Sequence, residues 1–388
     1  MSKKKILWIS DLGVPTGFAR VSHSIIKNIK DDYDITGFGI NYTGIPHDVG
    51  IPIFPAGAAG DPMGYTKIAE TVKMEEFDMI FILQDMWVVD NYLHNIREIE
   101  NLPPIVLYFP VDATCHDGFW YENLDIVTKA VAYNEFGKSV AIKASPDFEF
   151  DIISHGVDTD TFKPTFKSRQ EAKEILYKNK KDDEKIPEFI ILNANRNQPR
   201  KRLDLTMRGF AIFAEDKDDV VLYMHCGVLD SSIDVSRLAH ELGISSKLLM
   251  TNLEKGPQGV SDGHLNLIYN SCDCGVNTSV GEGFGLISVE HAATGAHQIV
   301  PRHSACEGLF SDTDADLIPI ITDYTLDRIM TVGKLVDKQG VADAMQSAYD
   351  KRNNKDFGKS QFEKFTSNAY NWSVISKQWK ALFEEAMN

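Results

Sequence analysis

The stretch TSVGEGFGLISVEH, Thr278 to His291, sets two carboxylates, Glu282 and Glu290, eight positions apart. Gly281, Gly283 and Gly285 crowd the front of it, and the apolar Leu286, Ile287 and Val289 follow. That order predicts a loop feeding a helix that starts near Phe284 or Gly285. Glycines let backbone approach a ligand closely, and the unpaired amides of a helix start favour a phosphate or another anion. If the segment is helical from there on, the two carboxylates lie roughly 10 Å apart at about 1.5 Å per residue. They could then grip two ends of one long polar ligand.

A second polar set, Arg196 and Lys201, follows the apolar run FIILN, with Arg200 and Arg202 beside it. Such a cluster suits a diphosphate; its plain alternative is a solvated basic surface.

The elements that must carry these residues alternate. KILWISDL (Lys5 to Leu12) predicts a buried strand. GVPTGFARVSHSIIKNI then predicts a glycine loop and a helix, with Gly13 and Gly17 around Pro15. The loop lies at the carboxyl end of the first strand, where open sheets bind ligands. It is not GxGxxG, so no dinucleotide is inferred. Further strands are expected at 35–40, 77–83, 104–109 and 127–134, with helices near 91–98 and 136–144 and a long surface connection over 41–64. Residues 167–185 are charge-rich and predict a surface helix and loop. The alternation restarts at 189–197 and continues through strands at 220–226, 247–253, 274–279 and 297–302. Two doubly wound parallel sheets in tandem follow from this pattern. The expected domains are 1–165 and 166–367, with an amphipathic helix over about 368–388 tying back onto the first; its apolar face is Ile375, Trp379, Leu382 and Phe383.

Composition narrows the class. A chain of 388 residues with 43% hydrophobic and 25% charged residues is an ordinary globular protein of about two domains. No run reaches the roughly 18 apolar residues of a membrane span, and MSKKKILWIS lacks a cleavage site, so a cytoplasmic location is expected. The five scattered cysteines point to free thiols rather than disulfides or zinc. The net charge is -16; residues 1–165 carry 13 basic and 24 acidic residues, a net of -11. That sign opposes nucleic-acid binding as the main task.

The hinge text HGVDTDTFKP, the strand with Arg196 followed by Lys201, and GEGFGLISVE resemble the retaining, nucleotide-sugar-dependent glycosyltransferases of the family that contains sucrose and glycogen synthases. The likeness runs over essentially the whole chain and is weakest in the first domain. The wording NANRN...RKRLD also resembles smaller members from large DNA viruses and phages, where the location would be the host cytoplasm. The resemblance implies the GT-B fold, two Rossmann-like doubly wound parallel-sheet domains facing each other across a cleft. It implies that Glu282 accepts hydrogen bonds from hydroxyls of the transferred sugar and that Glu290 holds the ribose. Arg196 and Lys201 would clamp the diphosphate, with the backbone of Gly283, Phe284, Gly285 and Leu286 near the sugar and distal phosphate. Gly17 and Phe18 would approach the phosphates from the first domain. Where the family often carries a histidine after the strand at 104–109, this chain reads YFPVDATCHD, so Asp112 or His116 is expected to contact sugar or acceptor.

The implied donor is a UDP-, GDP- or ADP-sugar, with no further cofactor. DxD strings at 32–34, 158–160 and 312–316 stand away from the proposed sugar site, so no metal is expected. A carbohydrate acceptor is the leading expectation. Its rival is a hydroxymethylated cytosine in viral or phage DNA, served by a basic patch of Lys3, Lys4, Lys5, Lys27 and Lys30. A nucleotide-sugar epimerase is a further alternative. The chain is expected to be a monomer or a homodimer.

Overall fold

The computed structural model describes residues 3–57, 60–178, 185–256 and 259–388. The chain divides into two units, Met1–Gly156 with Tyr370–Asn388, and Val157–Ala369. The elements of the first are β1 (Lys4–Ser10), α1 (Gly17–Ile29), β2 (Tyr33–Gly39), β3 (Ile53–Pro55), α2 (Ile68–Lys73), β4 (Met79–Leu83), α3 (Met86–Ile96), β5 (Ile105–Phe109), β6 (Lys129–Ala132), α4 (Glu135–Ala144) and β7 (Phe150–Ile152). The second continues with α5 (Arg169–Tyr177), β8 (Phe189–Asn193), α6 (Leu203–Phe213), β9 (Val220–Met224), α7 (Val235–Glu241), β10 (Leu248–Met250), α8 (Asp262–Ser271), β11 (Cys274–Val276), α9 (Leu286–Ala292), β12 (His297–Pro301), α10 (Ser304–Leu309), β13 (Asp316–Ile318), β14 (Thr322–Thr325), β15 (Val332–Leu335), α11 (Lys338–Lys351) and α12 (Lys359–Phe365). A last helix, α13 (Trp372–Ala386), belongs to the first unit.

Among the described residues the first unit holds a seven-stranded sheet in the order β3-β2-β1-β4-β5-β6-β7, every neighbouring pair parallel. The second holds a six-stranded parallel sheet, β10-β9-β8-β11-β12-β13, and a separate antiparallel hairpin, β14-β15. Strands such as β4 (MIFIL) and β8 (FIILN) are buried along their whole length, as unbroken apolar runs must be when helices cover both faces. In α1, Thr16 caps the first turn by accepting from the Ala19 amide, and Ala19, Ser22, Ile25, Ile26 and Ile29 form the buried face.

Several boundaries differ from the sequence-based expectation. Helix α3 starts directly after Asp85, five residues earlier than expected, because Met86, Val89, Leu93 and Ile96 form one buried helical face. The connection over 41–64 contains the short edge strand β3, paired with β2. The passage between units falls at Gly156–Val157 rather than near 165. Phe162 already packs with Tyr269, and Lys163 and Thr165 donate their amides to Asn266 and Asn270 of α8 at 3.2 Å each. Part of the charge-rich stretch, 179–184, lies outside the described residues.

Helix α13 buries Ile375, Trp379, Leu382 and Phe383. Trp379 meets the rings of Phe81 at 5.3 Å and Tyr108 at 4.6 Å, and Phe383 meets Phe81 at 5.5 Å and Trp8 at 6.5 Å. Cys226, Cys272, Cys274 and Cys306 are buried free thiols and Cys115 is exposed.

Candidate active site

In the second unit the strand order reverses beside β8, which has β9 on one side and β11 on the other. Connections leave such a point in opposite directions, so the loops after β8 and β11 diverge and open a crevice at the carboxyl ends of the strands. These are the loops of residues 194–202 and 277–285.

Buried asparagines shape the first loop. The Asn195 amide donates to Asn193 Oδ1 at 3.0 Å, and Asn197 Nδ2 donates to the carbonyls of Gly227 and Ile233 at 3.1 and 2.7 Å. A turn over Pro199–Lys201 follows, ended by Arg202 in the left-handed region at φ 47°. Lys201 thereby points inward and donates to Glu282 Oε1 at 2.5 Å. The same oxygen accepts from Asn277 Nδ2 at 3.0 Å and Ser279 Oγ at 2.9 Å. The other oxygen, Oε2, stands 3.9 Å from Arg200 Nη1, which also donates to the Gly281 carbonyl at 2.9 Å.

The backbone of this loop is pinned as well. The Glu282 amide donates to Ser304 Oγ at 3.1 Å, and His303 spans Ser304 Oγ (2.8 Å) and the Ser279 carbonyl (2.9 Å). A carbonyl only accepts, so His303 Nε2 carries a proton. Burial of Glu282 favours its neutral acid. The charges of Lys201 and Arg200, with hydrogen bonds from Lys201 and Asn277, outweigh burial and hold the carboxyl down at about 2. Glu282 is therefore an ionised acceptor in a mostly dry setting.

Glu290 lies on α9, buried, and accepts from the Tyr269 hydroxyl at 3.2 Å through Oε2. Tyr269 stacks on His291, with ring centroids 5.2 Å apart. His291 Nε2 donates to the Tyr269 carbonyl at 3.1 Å. Burial first, then the Arg169 charge, push His291 down to about 3, so the ring is neutral. Gly285 opens α9 at φ 86°, a conformation that strains any side chain, with Leu286 as the first helical residue; Phe284 is buried and Gly283 half-buried.

Arg196 is exposed and pairs with Asp230 through Nε at 2.7 Å and Nη2 at 3.3 Å. Of the two cations expected to act together, the fold brings Lys201 to Glu282 and turns Arg196 toward Asp230. Neighbouring Arg200, read from sequence only as part of a basic cluster, takes the place beside Oε2.

At the end of β9, His225 Nδ1 and the Tyr223 hydroxyl both meet Thr251 Oγ1, at 2.7 and 3.1 Å. Gly227, two residues on, leaves no room for a side chain: a Cβ there would lie 1.8 Å from the Gly256 carbonyl oxygen. The loop after β10 is thereby tied to the end of β9.

In the first unit the order reverses between β1 and β4. Gly17 opens α1 and is exposed, and Phe18 is half-buried. Asp11, buried at the end of β1, accepts from Asn41 Nδ2 at 3.0 Å. Burial raises its pKa while hydrogen bonds from Asn41 and Thr16 oppose the rise. Asp112 follows β5 and is half-buried. His116 Nδ1 meets the Tyr121 hydroxyl at 2.8 Å. Burial carries His116 down to about 4 against the pull of the Asp112 charge, so it is neutral at pH 7 and electrostatically coupled to Asp112.

Four of the DxD aspartates are engaged elsewhere. Asp32 pairs with Lys380, Asp158 orders the hinge turn by accepting from Thr161 Oγ1 at 2.9 Å, Asp312 pairs with Arg302, and Asp316 accepts from His297, Ser347 and Lys351. Among the described residues no group of three or more His, Cys, Asp or Glu is placed to hold a metal ion, and no helix is long and apolar enough to cross a membrane.

Sequence reasoning missed Asn277, Ser279, Tyr269, Asp230 and Asp11. Asn277 and Ser279 carried a usable signal, being short polar residues between a strand end and Glu282. Tyr269 and Asp230 reach their partners only through the fold.

Two Rossmann-like domains of this kind define the GT-B fold, and solved structures of that class match nearly the whole chain. The sucrose-phosphate synthase of Thermosynechococcus elongatus is 14% identical with a TM-score of 0.76 over 99% of both chains. A glycosyltransferase from Rickettsia africae is 16% identical with a TM-score of 0.76 over 100% of both. HepE of Anabaena, solved in complex with UDP and glucose, is 15% identical with a TM-score of 0.71, over 98% of this chain and 100% of that one. At these identities the likeness is one of fold. No protein-family model matches the sequence, and no curated protein matches it either.

Proposed function

We propose that the chain is a retaining glycosyltransferase that moves a sugar from a nucleoside diphosphate to a hydroxyl of a carbohydrate acceptor. The observation that carries this reading is Glu282: an ionised, buried carboxylate at the switch point of a GT-B sheet, fixed through one oxygen by Lys201, Asn277 and Ser279. Its other oxygen, beside Arg200, is the acceptor for sugar hydroxyls. Glu290, steadied by Tyr269, takes the ribose diol. Lys201, Arg200 and Arg196 supply positive charge for the departing diphosphate, with the amides of 283–286, and no metal is required. Arg196 exchanges Asp230 for phosphate on binding.

In the proposed step the anomeric carbon–phosphate oxygen bond breaks and a bond to the acceptor oxygen forms on the same face. The acceptor proton passes to the departing phosphate oxygen. Glu282, held at about 2, has no proton to give and serves as an acceptor and electrostatic partner. In the first unit Asp112, coupled to His116, orients an acceptor hydroxyl.

The acceptor is read as a carbohydrate rather than hydroxymethylated DNA. The lysine patch that would serve a duplex is partly neutralised, since Lys4 pairs with Asp78 and Lys5 with Glu75, both at 2.7 Å. The net charge of -16 works the same way. The deciding experiment offers UDP-, GDP- and ADP-sugars with a chelator present to glycans and to hydroxymethylcytosine DNA, and reads acceptor mass and anomeric configuration. A retained anomer on a glycan supports the proposal. A mass shift on DNA alone reverses the acceptor, and donor conversion without transfer points to an epimerase.

A further inference from the structure

The hairpin β14-β15 takes no part in either parallel sheet, yet it is tied to the loop that carries Glu282. The Lys334 amide donates to the Val280 carbonyl at 2.8 Å, and the Val280 amide donates to the Arg200 carbonyl at 2.9 Å. Val280 therefore sits as a bridge between the hairpin and the basic turn, two residues before Glu282. The approach is close: a Cβ on Gly333 would lie 2.4 Å from the Val280 carbonyl oxygen and 3.2 Å from its carbonyl carbon. Backbone cannot yield as a flexible side chain does, so this position requires glycine for room. A second tie comes from β14, where the Tyr324 ring lies under the Arg202 guanidinium at 5.8 Å. Arg202 holds the left-handed turn beside Lys201 and is clamped in both directions, by Tyr324 and by a two-point pair with Asp204 at 2.9 and 2.8 Å.

The hairpin is also closed on itself. Lys334 Nζ pairs across it with Asp323 at 2.5 Å, and the Leu326 amide closes the turn on the Thr331 carbonyl at 2.8 Å. Met330 and Ile321 are exposed. Its contacts reach both arms of the Lys201–Glu282 pair, one through Arg202 and one through Val280.

We propose that the β14-β15 hairpin is a strut that sets the position of Glu282 and Lys201, and that Gly333 and Tyr324 are positioning residues for sugar transfer. The proposal rests on the glycosyltransferase reading for its kinetic consequence, while its mechanical consequence stands apart from that reading. Glu282 and Lys201 are assigned to the sugar and diphosphate, whereas Glu290 on α9 is held by Tyr269 and assigned to the nucleoside. A displaced strut should therefore impair turnover more than it weakens binding of a free nucleoside diphosphate.

The test compares the full-length wild type with Gly333→Ala, Tyr324→Phe, Tyr324→Ala and, as a control at the exposed tip, Met330→Ser. Two readouts are taken: amide hydrogen exchange, and kcat beside the Kd for UDP, GDP or ADP. Gly333→Ala and Tyr324→Ala should speed exchange at Arg200–Arg202 and Ser279–Glu282. They should lower kcat roughly 10- to 100-fold, the effect of a displacement of about 1 Å at a reacting site, with a clearly smaller loss in Kd. Tyr324→Phe keeps the ring and should restore wild-type behaviour, and Met330→Ser should match wild type. Unchanged exchange at those segments in both disruptive variants overturns the strut. So does a kcat that falls only in proportion to the fraction of folded protein, or a Kd that weakens as much as kcat drops. If Gly333→Ala fails to fold, Tyr324→Ala against Tyr324→Phe decides. A wild type that binds no nucleoside diphosphate overturns the glycosyltransferase reading instead, and the exchange data still judge the strut.

Discussion

Glu282 and Lys201 form a buried ion pair whose two members have side chains only 6% and 10% exposed, so each depends on the other. Removing one partner leaves an uncompensated charge, which costs about 3–5 kcal/mol, while replacing both with apolar groups of similar size is often neutral. Glu282→Ala should thus lose stability in a urea melt, and Glu282→Leu with Lys201→Met should recover part of it, because Asn277 and Ser279 still lose their acceptor. Neither variant should transfer sugar. A double variant as unstable as the single one would show that the pair is not coupled in this way. Glu282 and Lys201 were legible as a site because glycine spacing and charge stand in the text. Their direct bond was not, since it joins residues 81 positions apart and depends on the turn that Asn195, Asn197 and Arg202 impose. Arg196 shows the same limit from the other side: its charge was visible, but Asp230, which now holds it, is 34 positions away.

At the scale of elements, parallel strands were legible because their apolar runs are continuous, and the switch point beside β8 follows from strand order once the fold exists. The hairpin β14-β15 is hard to read because TDYT and VGKL are short and mixed in polarity, without the alternation that marks a half-buried strand. The start of helix α3 is hard to read because Asp90 and Asn91 interrupt the apolar text on its outer side. The packing of Gly227 against Gly256 makes an element-level prediction. Gly227→Ala forces a Cβ toward a backbone oxygen at 1.8 Å and must displace the loop of residues 251–256 from the end of β9. If that loop borders the nucleobase, the variant should weaken nucleoside diphosphate binding by about tenfold, near 1.4 kcal/mol, with turnover of bound donor little changed. Calorimetric titration beside saturating-donor kinetics checks it; a fall in kcat with unchanged affinity would place the base elsewhere.

For the whole molecule, buried neutral histidines load the two units alike, and the returning helix is what sets them apart. Burial pushes His155 of the first unit to about 3 and, against the Asp112 charge, His116 of the same unit to about 4; burial with the neighbouring charges of Arg169 and His264 pushes His291 and His225 of the second to about 3 and 4, all from 6.5. A folded value below the unfolded one means that the unfolded chain binds protons first. Stability from these groups is complete above pH 6.5 and drains as pH falls toward their folded values. Each histidine adds a slope of at most about 1.4 kcal/mol per pH unit. With two such histidines in each unit, the two units should lose stability about equally steeply between pH 6.5 and 5, measurable by urea melts followed with probes in each unit. A slope twice as steep in one unit as in the other would remove this account. Helix α13 gives the complementary perturbation, because its Trp379, wholly buried against Phe81 and Tyr108, belongs to the first unit although the second unit precedes it in the chain. Trp379→Ala opens a cavity worth about 3–5 kcal/mol, and that loss should appear in the first unit's transition alone. Deleting Tyr370–Asn388 should go further and unfold the first unit, since Trp8, Phe81 and Tyr108 lose their aromatic cover together. The second unit should still melt cooperatively and still bind nucleoside diphosphate, because Glu282, Glu290 and Lys201 all lie within Val157–Ala369. Loss of nucleotide binding on that truncation would mean that the donor site is not complete in the second unit and depends on residues of the first.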